Sequence, residues 1–257
     1  MSWTLLSKTK HSKYALREIN SYPQLKKEIL IQICSFELRE VTQWLPLVFF
    51  KKENQIKLFG LAGLEAGKNL IVNNHGEWQM PFLPAVVSVD PFRLGITDAG
   101  ESVVMFSDET EKLVDKSEGL ALFNSDGSET ETLKKYLQLL FKIDQSEKQT
   151  TRACSLLEKY QLLEPFLIKK RENEGASGVI KGMLRVNIDA FTKLSGEEFL
   201  ELRDNRTLEF IYAHLFSLGA LPKLVGLMNY REKAANSLEE LGEKIFDNDV
   251  TELDFNV

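Results

Sequence analysis

The sequence predicts an α+β fold: a strand-rich first half forming an antiparallel or mixed sheet, packed against a helix-rich second half. Three observations carry this. The apolar runs of the first half are short and bounded by Gly, Pro and polar clusters, as in Leu47–Phe50, Ile56–Phe59 and Ser102–Phe106. From Leu133 onward apolar residues recur at helical spacing, at Leu133, Leu137, Leu140 and Phe141. Strand and helix patterns are segregated along the chain instead of alternating, which argues against repeated βαβ units, and both halves are expected to share one core.

Residues 1–28 are polar and basic and are expected to form an N-terminal arm, followed by a single α+β domain over 29–246 and an acidic tail over 247–257. Ile29–Phe36 has strand character, and Glu37–Trp44 reads as helix ended by Pro46. The runs at 47–50 and 56–59, separated by Lys51–Gln55, predict a hairpin. The rest of the chain is organised around the stretch Asn69–Phe92. Leu70–Val72 reads as a strand entering a turn at Asn73 and Asn74, residues that tolerate left-handed backbone. Pro81, Pro84 and Pro91 exclude a helix running through the stretch, and Val86, Val87 and Val89 suggest an irregular second strand, with Trp78 between the two.

Ser102–Phe106 and Leu120–Phe123 are predicted strands. A turn at Asn124–Gly127 leads to Ser128, which has the spacing of a capping box with Glu131 before the helix of Leu133–Phe141. A second helix is predicted over Thr150–Leu163 and stopped by Pro165, then an exposed loop over 169–178 and a strand over Met183–Val186. Asp189 and Ser195 are candidate N-caps, the latter with Glu198 three residues on. Leu208–Leu218 is apolar nearly all round and predicts an enclosed helix, closed by Pro222 and followed by a last helix over Lys223–Phe246.

The net charge of -6 over 257 residues argues against nucleic-acid binding, which needs a basic face. Cys34 and Cys154 lie far apart in apolar surroundings and read as buried, reduced thiols. The first residues lack an apolar signal core, and the run Leu45–Phe50 is far shorter than the ~20 residues of a membrane span. No transmembrane segment is therefore expected, and the expected location is the cytoplasm, with the cell surface by a signal-independent route as the alternative.

Motifs that carry chemistry are weak. Gly67-Lys68-Asn69 echoes the end of a phosphate loop, but Ala62 replaces its first Gly and Asn69 its Ser or Thr. Gly60, Gly63 and Gly67 miss the dinucleotide spacing. The oxygen-rich run at Asn124–Glu131 has its Gly at the wrong place for a calcium loop, and no G-x-S-x-G occurs. His11, His75 and His214 form no ligand pair on one helix face, so neither metal nor cofactor is expected. His214, among Ile211, Tyr212, Leu215 and Phe216, reads as a core residue. His75, followed by Glu77 and Trp78 in a predicted loop, is a candidate ligand contact, as a His beside a carboxylate can hook a ligand.

Several stretches together carry a resemblance. LPLVFF at 45–50, LFGL at 58–61, KNLIV at 68–72, GEW at 76–78 and FLPA at 82–85, then Pro91-Phe92, GLALFNSDG at 119–127, GMLRV at 182–186 and IYAHLFS at 211–217, occur in the order seen in bacterial SapC-family proteins. The chain resembles that family over roughly residues 28–228. Where the family commonly shows two arginines and a tyrosine before Pro-Phe, this chain has Ser88, Val89 and Asp90, leaving Arg93 nearby. The resemblance implies a role connected with bacterial surface-layer formation or export and no established reaction, so no catalytic residue is assigned. Family members beside tryptophan-halogenase-like and peptide-modifying genes imply an alternative: a cytoplasmic accessory protein binding a peptide or small molecule for a partner enzyme, through a site of His75, Trp78 and Arg93. A third expectation, an enzyme with a dispersed His and carboxylate site, stays open, as does the oligomeric state.

Overall fold

The computed structural model describes residues 3–52, 55–168 and 180–247, with side chains described as far as Ser237. Among these, the strands are β1 (Trp3–Leu5), β2 (Tyr14–Leu16), β3 (Leu30–Gln32), β4 (Leu47–Lys52), β5 (Gln55–Leu61), β6 (Phe92–Ile96), β7 (Ser102–Ser107), β8 (Leu113–Asp115), β9 (Leu120–Ala121), β10 (Leu163–Pro165) and β11 (Met183–Val186). The helices are α1 (Lys8–His11), α2 (Leu38–Val41), α3 (Ala85–Ser88), α4 (Glu131–Lys159), α5 (Ile188–Phe191), α6 (Gly196–Asp204), α7 (Thr207–Ser217) and α8 (Leu221–Asp247). The fold is α+β, and every strand pair described is antiparallel.

The main sheet has the order β10-β11-β4-β5-β3. Its centre is the expected hairpin, in register from Leu47 opposite Gly60 to Lys52 opposite Gln55. Leu47, Val48 and Phe49 are all fully buried. A strand covered on both faces needs no alternation of apolar and polar residues, which is why β4 reads as a continuous apolar run. α4 packs on β5, and α7 packs on β4 and β11.

Two smaller sheets, β1-β7-β6 and β8-β2-β9, surround a second core of Leu16, Phe92, Phe106, Leu122, Leu133 and Leu140. The expected N-terminal arm is corrected here: β1 pairs with β7, β2 sits between β8 and β9, and Ala15 and Leu16 are buried. Three-residue strands are too short to show a period, so the segment reads as patternless in sequence. The two expected helices of 133–141 and 150–163 are one helix of 29 residues, about 44 Å long by the usual rise. Its polar middle contains neither Gly nor Pro, and Ser146 there is buried because its Oγ accepts from the Ser35 N–H at 2.6 Å. Leu133 and Leu140 of α4 belong to the second core, while Ala153, Cys154 and Leu157 belong to the main one.

Local corrections have local causes. The N-cap of α4 is Thr130, whose Oγ1 accepts from Leu133 N, while the Ser128 hydroxyl is spent on Asp126 at 2.6 Å. α5 is capped by Asn187, not Asp189; the Ser195–Glu198 box at α6 has both its bonds. α4 ends at Lys159, before a left-handed Gln161, and Pro165 lies in the edge strand β10, where its missing N–H costs no ladder bond. Pro222 stands in the first turn of α8 instead of closing α7, again where no N–H is needed. Val86 and Val87 lie in α3, not in a strand: the buried carboxylate of Glu37 accepts from Ala85 N at 2.7 Å and caps that turn. Leu70–Val72 joins no ladder. The predicted loop at 169–178 and most of the acidic tail fall outside the described residues.

By length and composition, Thr207–Ser237 is apolar enough to cross a membrane, contrary to the expectation from the shorter run at 45–50. Its first half is α7, whose Phe210, Ile211 and His214 are fully buried against the main sheet.

Candidate functional site

Asn69, 4% exposed, builds the central stretch. Its Nδ2 donates to the carbonyls of Leu25 and Glu28 at 2.9 and 2.8 Å, and its Oδ1 accepts from Ile71 N and Val72 N at 2.7 and 3.3 Å. One amide thus satisfies four backbone groups from two separate segments, and the chain here stays irregular but fixed. Four residues on, Asn73 Oδ1 accepts from His75 N and Glu77 N, and its Nδ2 donates to Glu77 Oε2 at 2.7 Å. Gly76, at φ +85°, completes this turn against Ser21 and Pro23, where a side chain would meet Ser21 Oγ. Gly63 is also required: a Cβ there would collide with the carbonyl of Lys68, which comes in close.

α8 closes over the stretch. Arg231 reaches back so that Nη1 donates to Asn69 O and Val72 O at 3.2 and 3.1 Å, and Nη2 donates to Val72 O at 3.1 Å. Burial pushes the Arg231 guanidinium below its ordinary pKa. From the other side, Lys26 Nζ donates to Asn74 O at 2.7 Å. Between these groups lies a cavity of about 370 Å³ with an apolar lining of Leu64, Leu70, Val72, Met228 and Ala235. Lys26, Lys68, Arg231, Glu65 and Glu232 supply its charges. Few polar groups converging on an apolar hollow is the composition of a small-ligand site.

The three residues of the site expected from the sequence, His75, Trp78 and Arg93, do not converge. His75 is exposed, and its backbone, not its ring, holds the turn, donating to Asn73 and accepting from Ser21 Oγ. Trp78 is half-buried; its Nε1 donates to Phe82 O at 2.6 Å, and it borders a separate open cleft with Tyr22 and Met80. Arg93 is exposed, lies over the Trp3 ring at 4.1 Å, and borders a third cavity beside Asp90, Asp144 and Glu147. Where the resemblance leads one to expect arginines, Asp90 instead receives a cation from across the chain: buried Lys112 donates to its carbonyl at 2.6 Å. His214 is a core residue, as its neighbours suggested. Nδ1–H donates to Leu47 O at 2.8 Å and Nε2 accepts from Val186 N, so the ring is neutral, and burial pushes its pKa down to about 4. Ser217 completes this strut, accepting from Leu47 N and donating to His214 O. Cys34 and Cys154 are pushed up to about 12 by burial, which leaves them protonated thiols without nucleophilic character. Among the described residues no group of three or more His, Cys, Asp or Glu is placed to hold a metal.

The family model described as SapC matches residues 6–224. The chain belongs to the SapC family. Neither the curated proteins nor the solved structures searched contain a match. The SapC match begins at Leu6, earlier than the resembling motifs reach, in keeping with the woven-in β2. It also divides the cavity: the Lys26 and Leu64–Asn74 wall lies inside the matched region, whereas Met228, Arg231 and Ala235 lie beyond its end. Arg231 carries no local motif that could have marked it in the sequence; only the spatial return of α8 to Asn69 does so.

Proposed function

We propose that this SapC-family chain works by recognition and not by bond-making, taking a small molecule or the end of a peptide into the cavity between Asn69–Asn74 and α8. The observation that carries the reading is the construction of that cavity. Asn69 and Asn73 lock its floor, Arg231 ties α8 across it, and apolar side chains fill the rest of its lining. Such a site is held open by its own hydrogen bonds, so a ligand loses little affinity to reorganisation. No acid, base or nucleophile is assigned: His214 is engaged in the core and both thiols are buried and protonated.

The test is a thermal-shift panel of metabolites and short peptides on the wild type and on Ala235→Trp, which fills the cavity from an exposed helix position. At least one compound class is expected to raise the Tm of the wild type and not that of the variant. Equal shifts in both, or none in either, contradict the proposal. The link to surface-layer formation or export that the family resemblance implies belongs to the same proposal, and cell fractionation tests it. Recovery with the envelope supports the link, and recovery wholly in the soluble fraction counts against it.

A further inference from the structure

We propose that the cavity beneath α8 selects an anionic ligand, with a carboxylate at Arg231 and a short apolar tail over Met228 and Leu64. This rests on the reading of that cavity as a binding site and adds the class of its ligand. Among the described residues no carboxylate pairs with the Arg231 guanidinium; its partners are the carbonyl oxygens of Asn69 and Val72. Those bonds use Nη1 and one hydrogen of Nη2, leaving Nε–H and a second Nη2 hydrogen to donate, the two-pronged edge that matches a carboxylate.

Lys26 repeats the pattern on the opposite wall, where its ammonium donates to a carbonyl, that of Asn74. Of the two carboxylates of the lining, Glu65 is held by Lys68 at 2.6 Å. Three basic and two acidic side chains leave the lining with a positive excess. Partial burial of Arg231, which already lowers its pKa, strengthens any charge-assisted bond made there over one made in open water. The apolar surface of Leu64, Leu70 and Met228 then requires more than a bare ion, because an inorganic anion would leave it wet.

Two sources share this chemistry, a short-chain fatty carboxylate and a peptide C-terminus. The experiment is calorimetric titration with hexanoate, its neutral amide, and an apolar tripeptide with a free or an amidated C-terminus. Saturable binding of the acids, with the matching amides weaker by about 10-fold or more, is the expected result. Whichever acid binds more tightly identifies the source. Arg231→Met is expected to remove the preference for acid over amide, and Arg231→Lys to restore part of it. Because Arg231 also anchors α8, Lys26→Met serves as a second variant that leaves that anchor in place, and it is expected to weaken the acids and not the amides. Amides binding as well as acids would overturn the anionic class and leave the binding reading standing. No saturable binding by acid or amide would overturn both.

Discussion

At the scale of single residues, the side chains that matter are those that satisfy backbone groups. Asn69 is the clearest case, because substitution by Asp keeps its shape but sets a carboxylate against the carbonyls of Leu25 and Glu28. Asn69→Asp is expected to destabilise the protein by on the order of 3 kcal/mol, read as a lower urea midpoint. His214 gives a pH prediction. Its folded pKa, about 4, is depressed below the ordinary value of 6.5, so the unfolded chain binds the proton more readily. Stability from this group is therefore complete above about pH 6.5 and is lost as pH falls towards 4, on the order of 3 kcal/mol in all. Glu37, whose pKa burial raises, works in the opposite direction, gaining a proton in the folded state as pH falls. His214→Gln isolates the histidine: in urea titrations between pH 7 and 4 the variant should lose less stability than the wild type. An equal loss in both would contradict the assignment. His214 was legible in sequence from its apolar neighbours. Arg231 was not, because nothing in its own segment announces a return to a loop 159 residues earlier.

At the scale of elements, α4 is the member on which both cores depend. Its apolar face runs from Leu133 to Leu157 through a polar stretch that has the look of a break in the sequence. Periodicity fails there because Ser146 is buried for its hydroxyl. Gln145→Pro, at an exposed position of this helix, is expected to cost about 3 kcal/mol or more. It should also give two urea transitions, by tryptophan fluorescence and circular dichroism, where the wild type is expected to show one. Coincident transitions in the variant would mean that the two cores do not rely on the helix to unfold together. The hairpin β4–β5 was legible because its register is set by long apolar runs, whereas Leu70–Val72 mimics a strand because β-branched composition cannot reveal that an Asn side chain supplies the bonds. α3 was hidden for a related reason: its N–H is capped by Glu37, distant in sequence.

At the scale of the whole molecule, the α+β class was legible because it follows from the ordering of short strand patterns before long helical ones. The joining of the N-terminal residues to the second core was not, since three-residue strands take their pairing from partners about a hundred positions away. The candidate site was legible only in outline. The stretch around Asn69–Asn74 stands out in sequence, but the side chains that draw attention within and near it, His75, Trp78 and Arg93, belong to turn, cleft and separate cavity. The molecule instead places its proposed recognition surface where the last helix folds back over that stretch. The most direct measurement is a titration of hexanoate into the ¹⁵N-labelled chain, monitored by amide chemical shifts. Binding beneath α8 predicts saturable shifts confined to Lys26, Leu64–Asn74 and Met228–Ala235; shifts clustered instead around Trp78 or Arg93, or no saturable shifts, would contradict it.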